Sequence, residues 1–115
     1  MFAGCSKLKT IPEFNTSKGK SYSSFCNGCS SLENLPVLNM TNVSNIGSIT
    51  NMVTKCSKLT TESLNNILTS LLMIPSTATG TKTLRYIGLS STQATTCTTL
   101  SKWAELEAVG WTTGY

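Results

Sequence analysis

FAGCSKLKTIP at residues 2–12 recurs as CNGCSSLENLP at residues 26–36, displaced by 24 residues. A degenerate third copy, VTKCSKLTT, occupies residues 53–61. Self-similarity at such a period marks a solenoid of stacked supersecondary units, each burying its apolar side against the next. The first two copies share the pattern G-C-S-x-L-x-x-[IL]-P, which aligns Leu8 with Leu32, Ile11 with Leu35 and Pro12 with Pro36. Phe14 then aligns with Leu38, and Asn15 with Asn39. The run around Ile11 and Leu35 is expected to form one short strand per repeat. These strands would be parallel, because successive repeats superpose by translation. Proline at the same place in both removes one backbone donor each time, so the strands are short or the proline sits at an end or an unpaired edge. Side chains alternate across a strand. Thr10, Pro12, Asn34 and Pro36 are therefore the candidate binding residues of an outward strand face, in a register that a one-residue slip would invert.

Between these runs the apolar spacing changes to three and four. Tyr22, Phe25, Cys26 and Cys29 follow it, and so do Ile46, Ile49, Met52, Val53 and Cys56. Each set is expected on one face of a short α- or 3₁₀-helix packed on the strand layer, with Gly28 suited to a helix end. The third copy departs from the pattern after Leu59. Thr60 or Thr61 can cap a helix whose stripe is Leu64, Ile67, Leu68, Leu71 and Leu72, ending near Met73 before Pro75. A loop follows at residues 76–80, then a strand at residues 83–89 (TLRYIGL). A second helix is expected from a cap at Ser91 or Thr92 to Val109, with Gly110 after it. Residues 111–113 would be a final strand. Trp103 and Trp111 are expected as core anchors, although an exposed Trp111 or Tyr115 would favour ligand contact. Residues 1–59 thus hold the repeats, and residues 60–115 form a capping unit of the same continuous domain.

The 115 residues allow one small domain. At 39% hydrophobic and 12% charged, the composition is not that of a disordered chain. The net charge of +4 comes from scattered lysines. No aromatic residues interleave with them, so a solvated face is favoured over a nucleic-acid or anionic-glycan groove. The longest apolar stretch, residues 67–74, is interrupted by Thr69 and Ser70 and is too short to span a membrane. No secretory leader is read at the start.

Catalytic chemistry has few residues to work with. The chain holds no His and no Asp, and its acids are Glu13, Glu33, Glu62, Glu105 and Glu107. Ser-His-Asp and Cys-His arrangements are excluded, as are the usual zinc hydrolase ligand sets. No phosphate-cradling glycine loop is present. No catalytic residue, metal site or cofactor is assigned. Cys26-x-x-Cys29 has the spacing of a redox pair or half a zinc site. The repeat alignment gives a plainer account, in which Cys5, Cys29 and Cys56 share one repeat position and stack as small core hydrophobes. The odd count of five also argues against a fully paired framework. Asn15 and Asn39 are expected to bond turn backbone, and the three Asn-x-Ser/Thr sequons at Asn15, Asn39 and Asn42 fit the composition.

The GCSKL of residues 4–8 and the GCSSL of residues 28–32 resemble the core of BspA-type leucine-rich repeats. NMTNVSNIGSITNM at residues 39–52 is similar to the connector of that group, and residues 59–68, 83–89 and 108–112 resemble its terminal unit. The resemblance covers nearly the whole chain. It implies an α/β fold: a short leucine-rich-repeat solenoid of two to three repeats, with short parallel strands, short convex helices and a helical C-terminal cap. The family occurs on bacterial surfaces, in phage structural proteins and in some protists. The expectation is therefore a non-catalytic protein- or glycan-binding interaction module of a bacterial surface or phage-encoded protein. The alternatives are a structural assembly component of a phage particle and a small phage-encoded inhibitor of a host protein. The setting would be the cell surface or the virion for a piece of a longer exported protein, and otherwise the host cytoplasm. Met1 aligns with Phe25 and Met52, inside the pattern, which reads as a truncated or terminal piece of a longer array or as a short open reading frame derived from one. An uncovered first repeat leaves edges open, so self-association or a partner is expected at the N-terminal end.

Overall fold

Proline at positions 12 and 36 limits what the expected strands can do. The computed structural model describes residues 2–115, and Met1, with its repeat alignment, lies outside the described residues. Ile11 N–H donates to Asn34 O at 2.9 Å and Glu33 N–H to Lys9 O at 2.9 Å, which makes a single parallel bridge between Thr10 and Asn34. Two further isolated bridges pair Asn45 with Thr79 and Thr83 with Thr112. Among the described residues no ladder extends further, and there is no sheet. The α/β leucine-rich-repeat solenoid with parallel strands is therefore wrong for this chain. The regular elements are three α-helices, α1 (Thr61–Leu72), α2 (Ser91–Thr98) and α3 (Ser101–Ala108), and a 3₁₀ turn at Ile46–Ile49.

The repeats stack through turns instead of strands. The N–H groups of Phe2 and Gly4 donate to Phe25 O and Asn27 O at 2.7 and 2.8 Å. Those of Tyr22, Ser24, Cys26 and Gly28 reach Ser48, Thr50, Met52 and Thr54 O at 2.7–3.0 Å. Asn51 and Val53 in turn donate to Tyr86 O and Ile87 O. Each turn thus hands its amides to the carbonyls of the next, which satisfies backbone groups that the core would otherwise strand. The helical spacing of Tyr22 to Cys29 and of Met52 to Cys56 is real, since these residues are buried, but it is realised as consecutive tight turns. Ser24, Asn51 and Lys55 sit at positive φ, which interrupts any helix there. TLRYIGL, expected as a strand, is likewise one bridge at Thr83 followed by turns.

α1 begins where the repeat fails. Thr60 Oγ1 accepts from Ser63 N at 3.2 Å and caps the helix. Its apolar side buries Leu64, Ile67, Leu68 and Leu71. The same side carries Ser63 and Ser70, which meet the repeat edge: Leu35 N–H donates to Ser63 Oγ at 2.9 Å and Leu38 N–H to Ser70 Oγ at 2.8 Å. Asn66 Nδ2 donates to Leu35 O at 2.9 Å between them. A helix thereby fills the place that the next repeat edge would have taken.

The single C-terminal helix expected up to Val109 is two. α2 opens one residue earlier than expected, on a capping box of Ser90 and Gln93. Hydroxyls of Thr98 and Thr99 then bond back to Thr95 O and Thr96 O at 2.6 Å, and the chain turns at Leu100 into α3. Gln93 Nε2 also donates to Cys56 O at 2.7 Å and pins α2 to the third turn. Trp103 and Trp111 are buried, and one core runs from Ile11 to Trp111. Among the described residues no helix is long and apolar enough to cross a membrane.

Candidate functional site

The face read from the sequence is partly assembled. Thr10, Pro12 and Asn34 are exposed, and Ile11 and Leu35 between them are buried, as alternation requires. Asn34 Nδ2 donates to Thr10 Oγ1 at 3.1 Å, so the two polar residues lie side by side across the bridge. Pro36 is only half-buried, beside the segment that α1 covers. Thr10 and Asn34 spend polar groups on each other and form a surface patch.

A better-formed site lies at the first turn of the stack. A groove of about 350 Å³ is lined by Phe14, Asn15, Thr16, Lys18, Gly19, Ser21, Tyr22, Ser23 and Phe25. Phe14 is 38% exposed, with its ring parallel to that of buried Phe25 at a centroid distance of 6.4 Å. Tyr22 and Phe2 also pack on Phe25, edge to face. The wall at residues 15–21 is tied at several points. The Tyr22 hydroxyl shares its proton between Thr16 O at 3.1 Å and Asn39 O at 2.9 Å. Asn39 N–H donates to Thr16 Oγ1 at 2.8 Å, and Asn42 Nδ2 to Ser17 O at 2.9 Å. Asn15 Oδ1 accepts from Ser17 N and Ser17 Oγ, and Asn39 Oδ1 accepts from Thr41 N and Thr41 Oγ1 in the same way. Both asparagines therefore hold turn backbone, as expected from their type and place.

Sequence reasoning passed over this groove because Phe14 aligns with Leu38, which is 1% exposed. The inner copy has α1 over it, whereas Phe14 in the first copy is 38% exposed. The one available signal was an aromatic residue in the first copy at a position that is aliphatic in the inner one.

The cysteines are all free thiols. The Cys5 backbone bonds the Cys29 thiol and the Cys29 backbone bonds the Cys56 thiol, so the three stack as the repeat alignment expects, but only Cys29 and Cys56 are buried and Cys5 is exposed. Cys29 Sγ donates to Phe2 O at 3.0 Å and Cys56 Sγ to Cys26 O at 3.0 Å. Cys26 and Cys56 are also close, with sulfurs 3.8 Å apart. The hydrogen bond to Cys56 and then burial push the Cys26 thiol far up, and the same bond favours Cys56 as the first of the pair to ionise. Burial also raises Cys29, and it pushes Cys97 up to about 11. Since the thiolate is the reacting form, one thiol per chain, Cys5, should react promptly with a disulfide reagent in the native state. The other four should react only after denaturation, and Cys5→Ser should abolish the fast phase. Prompt reaction of a second thiol would show that the turns open far more readily than their packing implies. Among the described residues no three His, Cys, Asp or Glu side chains converge in a metal-binding group.

Compared with models of protein families, with curated proteins and with solved structures, the chain matches none.

Proposed function

We propose that this chain is a non-catalytic interaction module that receives a protein or glycan partner in the groove beside Phe14. The observation that carries this reading is an exposed aromatic ring stacked on Phe25 at the edge of a groove with a polar rim. Large aromatic faces with little side-chain freedom are frequent binding anchors. The chemistry of the chain points the same way. It lacks His and Asp, and four of its five thiols are buried. The groove lining holds no carboxylate, imidazole or thiol. The sequence resemblance of the GCSxL motif supports a setting in which adhesion or partner binding is the task.

The reading expects a groove open to partners and not filled by a second copy. Light scattering coupled to size exclusion should give the monomer mass of 12.3 kDa from micromolar to millimolar concentration. A defined oligomer that Phe14→Ala dissociates would instead make this end an assembly surface. The structural-component reading would then replace the binding one.

A further inference from the structure

The groove's lining indicates which kind of ligand fits it. Phe14 and Phe25 supply the apolar area, and most of the remaining lining residues carry hydroxyl, amide or ammonium groups. Their hydrogen-bonding roles are already sorted. Ser21 Oγ donates to Ser48 O at 3.2 Å and Ser23 Oγ to Thr50 O at 3.5 Å, which leaves the lone pairs of both hydroxyls as acceptors. Asn15 uses Oδ1 on Ser17 and keeps its Nδ2 hydrogens, and among the described residues neither these nor Lys18 Nζ has a protein partner. The rim thus offers donors at Asn15 and Lys18 and acceptors at Ser21 and Ser23, beside an exposed aromatic ring.

We infer that this groove binds a pyranose unit of a glycan, with the C–H face of the sugar ring against Phe14 and its hydroxyls bonded to Asn15, Lys18, Ser21 and Ser23. The inference rests on the interaction-module reading and gives it a ligand class. A pyranose has an apolar face edged by groups that both donate and accept, which matches this arrangement. An apolar peptide side chain would strip water from the same four groups without replacing it, at a cost for each polar group left unpaired. The volume of about 350 Å³ is at the small end of ligand pockets, where about 300–1,000 Å³ is usual. It therefore suits one or two sugar units better than a long peptide. Gly19 makes room for the Tyr22 hydroxyl behind the groove wall. A Cβ there would collide with the Tyr22 hydroxyl that ties the wall to Thr16 and Asn39.

The test is saturation-transfer NMR on the whole chain with methyl β-glucopyranoside, methyl β-galactopyranoside, methyl β-N-acetylglucosaminide and methyl β-glucuronide. Acetyl-leucine amide serves as the apolar comparison, with amide shifts followed in parallel. The expected result is transfer to ring C–H protons of at least one glycoside, with shift changes confined to residues 14–25. Phe14→Ala should weaken that binding at least about tenfold, and Glu105→Gln, exposed on α3 and outside the groove, should leave it unchanged. Lys18→Ala removes a side chain whose ammonium has no hydrogen-bond or ion-pair partner among the described residues and should also weaken it, which keeps the test decisive if Phe14→Ala does not fold. Shifts in the groove from acetyl-leucine amide, with none from any glycoside, would overturn the sugar assignment and leave the interaction module standing. No shift in the groove from any probe would overturn both.

Discussion

Gly88→Ala should lower the stability of the folded chain by about 2–4 kcal/mol, the largest effect expected of any single-methyl addition here. Gly88 ends the turn at residues 84–88 with φ at +104°. An added Cβ would lie 2.5 Å from Thr54 N and 2.8 Å from Thr54 Cα. These are backbone atoms and cannot rotate aside. Nor can the turn withdraw, because Ile87 O and Tyr86 O accept from Val53 N and Asn51 N at 3.0 and 3.1 Å. Relief of the clash therefore costs the hydrogen bonds between turns as well as the backbone strain. Gly4→Ala is the control. Its φ is +79°, but nothing lies within 4 Å of the added carbon, so only the conformational cost of about 1 kcal/mol remains. Urea denaturation followed by circular dichroism compares the two. Midpoints within error of each other would mean that the turns are not packed this closely. Since a small domain has only about 5–15 kcal/mol in all, the expected Gly88→Ala loss is easily read.

The core was more legible than the backbone that carries it. Ile11, Leu32, Leu35 and Leu38 are buried at the positions the repeat assigns them, and Leu64, Ile67, Leu68 and Leu71 face inward from α1 as their spacing requires. The strands were not legible. A stack of tight turns and a stack of short strands repeat at the same period and bury the same apolar positions. The sequence features that separate them, residues at positive φ such as Ser24, Asn51 and Lys55, carry no glycine to announce them. Register was legible: the Thr10–Asn34 bridge spans the 24 residues of the repeat, and Cys29 Sγ to Phe2 O and Cys56 Sγ to Cys26 O are the same bond in successive copies. The break between α2 and α3 was hidden in threonines, whose hydroxyls compete for helix carbonyls. The groove at Phe14 was beyond local reading altogether. Whether a repeat position is covered depends on which neighbour lies over it, and that is decided only in the assembled fold.

Ser63 and Ser70 should prove more important to stability than any other hydroxyls of α1. They are the buried polar residues of its inward face, at 2% and 1% exposure. Each accepts an amide that has lost its repeat partner, from Leu35 and Leu38 respectively. Each also disposes of its own proton: Ser63 Oγ donates to Glu33 O at 2.7 Å and Ser70 Oγ to Asn66 O at 2.8 Å. Both hydroxyls are thus used as donor and acceptor, and alanine at either position strands a buried N–H at about 1–3 kcal/mol. Ser63→Ala with Ser70→Ala should then cost about 2–6 kcal/mol, despite the better helix propensity of alanine. Thr69→Ala removes a hydroxyl that bonds only Asn65 O within the helix, so its effect should be under about 0.5 kcal/mol. Amide exchange identifies the cause. In Ser70→Ala the Leu38 amide should lose protection selectively, and in Ser63→Ala the Leu35 amide should do so. Uniform loss across α1 would mean that the serines merely pack, and unchanged exchange would mean that the helix does not satisfy the repeat edge. The expected pattern would explain how three imperfect copies can end in a helix: two serines seven residues apart, on an otherwise apolar stripe, take over the acceptors that a further repeat would have supplied.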